Sequence, residues 1–415
     1  MDAAKTASGF PEIKVPAGLT FAGLVLGFLA GLVFQGTSLA EPLLKYGGLA
    51  GTLWLRALQL TIVPLVIGLV FTGISQTLAA ANGGKLARRA VGLFFVVLLI
   101  SGTMAALLVP ALLTAFPIPE RAAAALSGGA ATAGDVPGFA EVLKAMMPEN
   151  IFASAASGAM LPIVLFVSVF AVATTRIAAA PRAQLNQVFE GLAAAMMVMV
   201  GWVLKLAPIG VFGLALPLAS SGADAIGALA HYVLIVSAAG LVVLLGGILL
   251  ALTLGGQKVD TFFRAMTPVY AVALSTQSSL ASLPAMLAAT RKLGVREATA
   301  DFVLPLAVAI FRATSPAMNM GVATYAAYLT GTPLSPLVLG AGVLVAFLVS
   351  LSSVSLPGTL SFVISVGPIA NAMGVPIAPL ALLVAVEMLP DIMRTLGNVT
   401  LDVAATATVD RRRGD

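Results

Sequence analysis

The sequence predicts an all-α polytopic membrane protein. Of its 415 residues 60% are hydrophobic and 9% are charged, and the mean hydropathy is +1.06, a balance that soluble domains of this length do not show. From residue 260 onward Ser, Thr and Pro interrupt the apolar segments. Before residue 260, the sequence contains apolar runs long enough to cross a bilayer as a helix, which takes ~20 residues. They lie at 16–36, 44–74, 87–115, 159–178, 190–219 and 227–255.

Charged residues outside the apolar runs indicate how the chain is oriented. By the positive-inside rule the basic loops, and with them both termini, are cytoplasmic, so we expect a multi-pass protein of the inner (plasma) membrane with a retained first helix. The net charge of +5 then reflects loop placement and not nucleic-acid binding. The acidic residues of the loop at 117–150 fit an outward face. The basic residues are Lys85, Arg88, Arg89, Arg176, Arg182, Arg411, Arg412 and Arg413, and the acidic ones are Glu120, Asp135, Glu141 and Glu149.

Composition also argues against an enzyme. The chain has no cysteine, which excludes disulfides, thiolate metal sites and cysteine nucleophiles. The single histidine, His231, cannot form a zinc site by itself and lies outside the interrupted segments. A membrane-embedded hydrolase would need a catalytic dyad or a metal cluster, so we predict no catalytic residues, no confident metal site and no cofactor.

A polar stripe runs through an apolar segment near the C-terminus. Steps of three and four residues place its members on one face of a helix. Ionisable groups in a bilayer cost about 2.5–3.5 kcal/mol each, so they face a cavity, a partner charge or a ligand. The stripe is therefore the first candidate binding site, although Asp391 and Arg394 could simply neutralise each other as an i, i+3 pair. Its members are Glu387, Asp391, Arg394, Thr395, Asn398 and Asp402.

Two serine-rich interruptions resemble each other. Residues Ser275–Pro284 and Ser350–Thr359 each carry several serines followed by Leu-Pro, and each precedes a long span, at 298–330 and 376–409. A matched pair of broken segments at membrane depth points to a transporter site. The alternative is a pair of helix kinks whose hydroxyls bond back to the helix.

The stripe carries the resemblance to a known family. Residues 387–402 present an acidic residue followed by D-x-x-R-T-x-x-N-x-x-x-D, and in this the chain resembles the dicarboxylate/amino acid:cation symporters, the family of the glutamate and aspartate transporters. The resemblance implies eight transmembrane helices plus two re-entrant helical hairpins, inverted repeats, and a homotrimer of elevator-type carriers in the lipid bilayer.

The same resemblance implies a division of the chain. Residues 1–255 would be mainly scaffold, spans 1 to 6, with spans 3 and 6 travelling with the transport core. Residues 256–409 would be that core, and 410–415 a cytoplasmic tail. Within the core, the first hairpin (about 260–292) would enter from the cytoplasm and the second (about 336–375) from outside, preceding spans 7 and 8 respectively.

An acidic amino acid needs an anionic partner for its ammonium and donors for its carboxylates, and Arg alone offers a rigid bidentate fork. The resemblance assigns Asp391 to the ammonium, Arg394 to the side-chain carboxylate, and hydrogen bonds to Thr395 and Asn398. It also implies substrate contacts at the two hairpin tips and in span 7. At the second tip, Leu360 replaces a Gly of the family and would make that tip stiffer. These further positions are Ser278, Ser279, Ser315, Leu356 and Gly358.

The chain departs from the family where the family binds sodium. The span 7 motif N-M-D-G-T is matched by residues 311–315, Phe-Arg-Ala-Thr-Ser, or in another register by 319–323, and neither supplies the carboxylate. In span 3, hydroxyl positions read Phe94, Val97 and Leu98. Hard cations need oxygen ligands, so we predict that this sodium site is absent.

A second sodium site remains conceivable at Asn398 and Asp402, which the family uses for another ion. Our hypothesis is that Arg312 replaces that ion as a tethered cation paired with Asp402, because a buried carboxylate requires a counter-charge. Alternatively, Arg312 reaches water or pairs elsewhere.

We therefore expect a symporter for acidic amino acids, an anionic small-molecule substrate, with reduced or absent sodium coupling. The proton is the candidate coupling ion, and Glu387, four residues from Asp391 in an apolar span, is its candidate carrier, since neighbouring like charges favour a protonated carboxyl. The alternative is that Glu387 is simply paired with a neighbouring basic residue or solvated in the cavity. The alternatives are a four-carbon dicarboxylate:cation symporter, whose known examples lack the ammonium-binding Asp, and a passive anion channel or exchanger.

Overall fold

The computed structural model describes residues 17–82, 84–119, 147, 149–217, 223–352 and 358–414. Within these ranges the chain forms helices and no strand, which confirms the all-α prediction. In chain order they are α1 (Ala17–Phe34), α2 (Ala40–Ala81), α3 (Lys85–Ala115), α4 (Ile151–Ser157), α5 (Met160–Thr174), α6 (Ala179–Lys205), α7 (Ala207–Ala215), α8 (Ala223–Thr253), α9 (Val259–Thr276), α10 (Leu283–Lys292), α11 (Glu297–Ile310), α12 (Ser315–Thr330), α13 (Pro336–Ser352), α14 (Gly358–Ala372), α15 (Leu380–Leu383) and α16 (Met388–Gly414).

Several helical segments suit a bilayer. Among the described residues, five are long and apolar enough to cross a membrane, namely Ala40–Ala81, Lys85–Ala115, Ala179–Lys205, Ile226–Thr253 and Glu297–Thr330. Three shorter apolar helices occur at Gly18–Phe34, Met160–Thr174 and Pro336–Leu351. The count of eight spans remains a prediction. Most of the acidic loop at 117–150 lies outside the described residues.

Three predicted spans are divided in the structure. The run at 190–219 breaks between α6 and α7, where Pro208 occupies the first turn of the new helix, a position that does not need its missing N–H. The span at 298–330 breaks at residues 311–314, and Pro316 again stands in the first turn of the following helix. The span at 376–409 is also interrupted, by turns at residues 384–387.

The last of these breaks corrects one expectation. Glu387 lies in the turn before α16 and not on the helix, so the one-face stripe begins only at Asp391. Pro390 is the third residue of α16, where its missing N–H removes no helical hydrogen bond. A proline at this position therefore suits the start of the helix.

The helix contacts fall into two overlapping sets. Helix α2 packs against α1, α5, α6 and α7, and also against α13 and α14, while α3 and α8 pack against the C-terminal helices, chiefly α12 and α16. Helices α2 and α7 approach so closely that a Cβ atom on Gly213 would lie 2.0 Å from the carbonyl oxygen of Gly47. The second set surrounds the polar stripe.

Helix pairs form where both hairpins are predicted. Helices α9 and α10 pack together, and the chain turns between them at Gln277, whose φ of +49° is left-handed. Helices α13 and α14 form the second pair. Residues 353–357 between them, including the predicted contact Leu356, lie outside the described residues, and Gly358 begins α14.

The end of α16 is tied to the start of α11. The Asp410 carboxylate accepts hydrogen bonds from Arg296 Nε at 2.8 Å, from the Arg296 backbone N–H at 3.3 Å and from Thr299 Oγ1 at 2.7 Å. Arg296 Nη2 also donates to the Asp410 carbonyl. Partial burial raises the pKa of Asp410, but the hydrogen bonds from Thr299 and Arg296 outweigh it and hold the pKa below its ordinary value.

We expect Asp410→Asn to lower the melting temperature in detergent by about 1–2 °C at neutral pH. Because the folded-state pKa is depressed, this stabilisation is fully present above the ordinary aspartate value of about 3.9 and is lost as the pH falls through the depressed pKa. The melting difference between variant and parent should therefore shrink below about pH 4. Asp260→Asn is the control, because its pair with Arg264 is largely exposed. An equal loss in both variants would contradict the prediction.

Candidate substrate-binding site

Arg394 is the centre of a buried charge cluster. Its side chain is 1% exposed. Nη1 donates to Asp391 Oδ1 at 3.0 Å, and Nη2 donates to Glu387 Oε1 at 2.6 Å and to Asn319 Oδ1 at 3.4 Å. Nε has no hydrogen-bond partner in the described part of the chain. A buried guanidinium N–H without an acceptor is costly, so this edge of Arg394 suits an incoming carboxylate.

Glu387 is held from two sides. Oε1 accepts from Arg394, and Oε2 accepts from the hydroxyl of Tyr232 on α8 at 2.8 Å. Both Glu387 and Tyr232 are fully buried. In the structure Glu387 thus pairs with a basic residue, as one of the alternatives from the sequence has it. Tyr232 was missed, since a tyrosine in an apolar span gives no signal beyond its hydroxyl.

The break in span 7 is tied to α16 by hydrogen bonds. Thr314 donates to Asn398 Oδ1 from its backbone N–H at 3.0 Å and from Oγ1 at 2.7 Å, and Oγ1 also lies 2.9 Å from the Arg394 carbonyl. On the other side, Ser101 of α3 donates to the Ala313 carbonyl at 2.6 Å. These bonds satisfy non-helical backbone and fix the break beside Arg394.

Contact between the break and α16 depends on Gly397. A Cβ atom there would lie 2.2 Å from Thr314 Cγ2, so the two segments meet without room for a methyl group. Thr314 would have to move, and its bonds to Asn398 would weaken.

We therefore expect Gly397→Ala to destabilise the protein by about 1–3 kcal/mol through overpacking. Thermal melting in detergent measures this. Gly246→Ala on α8 is the matched control, because a Cβ atom added there would meet nothing within 4 Å and alanine favours the helix. Two variants of equal stability would show that the break is not tightly packed against α16.

The remaining predicted substrate contacts in the described residues lie on α16, at the start of α12 and in the first hairpin tip. Thr395 is buried beside Arg394, and Ser315, the first residue of α12, is buried with a hydroxyl that has no hydrogen-bond partner among the described residues. In the first hairpin tip, Ser279 is buried, while the Ser278 hydroxyl accepts from the Ala281 N–H. The tip reaches α16 through Gln277, whose Nε2 lies 3.4 Å from the Met388 carbonyl.

Two further charged residues, Arg312 and Asp402, are buried in the same region of the fold. Arg312 is 7% exposed and interacts electrostatically with Asp391 and, more weakly, with Asp402. Neither carboxylate oxygen of Asp402 has a hydrogen-bond partner in the described ranges, and Arg312 is the charged group that acts on it there. The pairing of Arg312 with Asp402 stays a prediction.

The buried charges of the described residues do not balance. Three buried carboxyl groups, Glu387, Asp391 and Asp402, stand against two buried guanidinium groups, Arg312 and Arg394, in the part of the chain that the structure describes, so their formal sum is −1 if all are ionised. Uncompensated buried charge is unfavourable, and one proton or one bound cation would remove it.

Aromatic rings occupy the positions in α3 and before α12 at which the sequence predicts that a sodium site is absent. The rings of Phe94 and Phe311 stack with centroids 4.3 Å apart and planes 10° apart, and both are buried with Leu98. Carbon surfaces offer no ligand to a hard cation. The described residues also contain no cluster of three or more His, Asp or Glu side chains able to hold a metal. His231 contacts Tyr325 and the Phe116 carbonyl.

A buried site of mixed charge, built where helices break inside an apolar bundle, is characteristic of membrane transporters for charged solutes. The chain belongs to the sodium:dicarboxylate symporter family, whose model matches residues 18–412. This is a family of transporters and not of enzymes, which confirms the family resemblance and the prediction that the protein is no enzyme.

Individual relatives cover almost the whole chain. It is 28% identical over 407 residues to the proton/sodium-glutamate symport protein of Bacillus subtilis, covering 95% of this chain and 92% of the relative. Identity to the proton/glutamate-aspartate symporter of Escherichia coli is 27% over 400 residues, with 93% and 90% covered. Identity to C4-dicarboxylate transport protein 1 of Pseudomonas aeruginosa is 26% over 407 residues, with 95% and 87% covered. These names support a cation-coupled symporter of anionic substrates in the membrane.

Proposed function

We propose that the protein is a symporter for acidic amino acids, aspartate or glutamate. The observation that carries the proposal is the buried pair of Asp391 and Arg394, 3.0 Å apart, in which the Nε of Arg394 has no hydrogen-bond partner among the described residues. The guanidinium edge suits a carboxylate, and the adjacent aspartate suits an ammonium group. We propose that the buried hydroxyls of Thr395, Ser315 and Ser279 add hydrogen bonds to the substrate.

We propose protons as the coupling ion, with sodium coupling reduced or absent. The stacked Phe94 and Phe311 supply no oxygen ligand, and Arg312 brings a fixed positive charge toward Asp402. The remaining formal charge of −1 still requires one cation, and a carboxyl proton meets that requirement without a coordination shell. Glu387 is the candidate carrier, because a proton there would release its hold on Arg394.

The assembly and motion follow from family membership as proposals. We propose a homotrimer in which helices α1, α2, α5, α6 and α7 form the static scaffold. Helices α3 and α8 would move with α9–α16 as an elevator-type core, with both termini cytoplasmic. The packing of α3 and α8 onto α12 and α16 supports this division.

One observation favours four-carbon dicarboxylates instead. Asp391 already interacts with both Arg394 and Arg312, so it could serve the internal charge network and leave no carboxylate for an ammonium group. A dicarboxylate would then be held by Arg394 alone.

Uptake into proteoliposomes tests these proposals. Labelled aspartate, glutamate and succinate are offered under an imposed proton gradient and, separately, an imposed sodium gradient. Saturable aspartate uptake driven by protons without sodium supports the proposal. Preference for succinate favours the dicarboxylate alternative, strict sodium dependence overturns proton coupling, and non-saturating electrogenic flux would indicate a passive anion channel.

A further inference from the structure

Tyr232 presents a phenol to the substrate site from α8, a helix whose buried neighbours Ala228, Ile235, Val236 and Ala239 are apolar. The hydroxyl donates to Glu387 Oε2 at 2.8 Å while Arg394 Nη2 lies 2.6 Å from Oε1. One carboxylate is thus shared by a donor from α8 and a donor from α16.

The backbone holds Glu387 firmly on one side only, where its carbonyl accepts from the Asp391 N–H at 3.0 Å. Glu387 stands in the turn at residues 384–387, and its N–H lies 3.4 Å from the Val384 carbonyl, a long hydrogen bond. Regular α-helix starts only at Met388. Tyr232 therefore supplies the contact that directs the carboxylate toward Arg394.

We propose that Tyr232 is a positioning residue that keeps Glu387 on Arg394 until substrate binds, and so sets the pH range in which an acidic substrate gains Arg394. The inference rests on the proposed function. A substrate carboxylate and the Glu387 carboxylate compete for the Arg394 guanidinium. A proton on Glu387 removes its negative charge and so weakens its contact with Arg394. A hydroxyl that donates to a carboxylate favours its ionised form, so Tyr232 opposes this release.

Other charged and titratable groups around Glu387 are few in the described residues. Arg394 and Asp391 lie on α16, and Arg312 acts on both. From α12, Asn319 contacts Arg394, and Tyr325 packs edge-on against Tyr232 with ring centroids 5.3 Å apart. The Tyr325 hydroxyl contacts Ala228 and His231 instead of Glu387. Tyr325→Phe is therefore a matched control that removes a neighbouring phenol without touching the carboxylate.

The test is an infrared titration of purified protein in proteoliposomes. The band that disappears in Glu387→Gln reports the Glu387 carboxyl. Tyr232→Phe should move the midpoint of this band upward by about one pH unit, and the KM for aspartate should shift along the pH axis by the same amount with the maximal rate at acid pH kept within about twofold. Tyr325→Phe should move neither quantity.

An unshifted midpoint in Tyr232→Phe, or an equal shift in Tyr325→Phe, overturns the inference. The titration needs no transport, so a parent protein that takes up no acidic substrate overturns the proposed function alone. If Tyr232→Phe does not fold, 3-fluorotyrosine at position 232 keeps the ring and is a stronger donor, and it should lower the midpoint. No downward shift would then contradict the proposal.

Discussion

Arg394→Gln should reduce uptake of acidic substrates by more than about 100-fold, because it removes two or more charge-assisted hydrogen bonds to a substrate carboxylate. The variant should also be less stable. It leaves the buried Glu387 and Asp391 without the guanidinium that both contact, and breaking a buried ion pair costs about 3–5 kcal/mol. Uptake in proteoliposomes and melting in detergent measure the two effects.

A double variant separates binding from folding. Arg394→Gln with Glu387→Gln removes one of the two stranded carboxylates, so melting should recover in part while uptake stays lost. If the double variant regained aspartate uptake, Arg394 would be a structural residue, and the assignment of the substrate carboxylate to it would be wrong. Arg394→Lys should not rescue uptake, since an ammonium cannot reproduce the planar fork.

Arg312→Met is the substitution from which we expect the second large loss of stability and transport. It leaves Asp402 buried, without a hydrogen-bond partner in the described part of the chain and without the guanidinium that acts on it. We expect a loss of stability of about 3–5 kcal/mol and loss of transport. If Arg312 replaces a sodium ion, sodium chloride should raise the melting temperature of this variant more than choline chloride does at equal ionic strength, and should not do so for the parent.

The partner of Arg312 is identified by a second substitution. Adding Asp402→Asn should restore melting, because the formal charge of the cluster then returns from −2 to the parent value of −1 and the carboxylate without a hydrogen-bond partner is removed. If Asp391→Asn restores it and Asp402→Asn does not, the tethered-cation hypothesis fails, and Arg312 belongs to the Asp391 network. The second substitution is included because Arg312 interacts more strongly with Asp391 than with Asp402 in the structure.

Much of the candidate site was predictable because it lies within one segment. Asp391, Arg394, Asn398 and Asp402 follow helical spacing in an otherwise apolar segment, where ionisable side chains indicate function. Glu387 shows the limit, because spacing placed it on the helix, while the helix begins one residue later. Its contact with Arg394 survives, since a turn keeps the two side chains adjacent.

Contacts that join distant segments were not predictable. Tyr232 and Glu387 are separated by 155 residues, and Asn319 and Arg394 by 75. A tyrosine or asparagine in an apolar helix carries no periodic signal that names its partner. The break at residues 311–314 has one local signal in the sequence, Ser315-Pro316, since proline favours the first turn of a helix. The apolar residues on both sides nevertheless predict one continuous span.

The stacked rings of Phe94 and Phe311 bear on the conditions under which a cell with this transporter could take up its substrate. If carbon replaces a sodium site, uptake draws on the proton-motive force, and each proton moved down one pH unit supports about tenfold accumulation. Scavenging of acidic nutrients would then continue in media poor in sodium and stop when the proton gradient collapses. Under the proposed function, the rings of Phe94 and Phe311 would thus make nutrient uptake depend on the proton gradient and not on the sodium gradient.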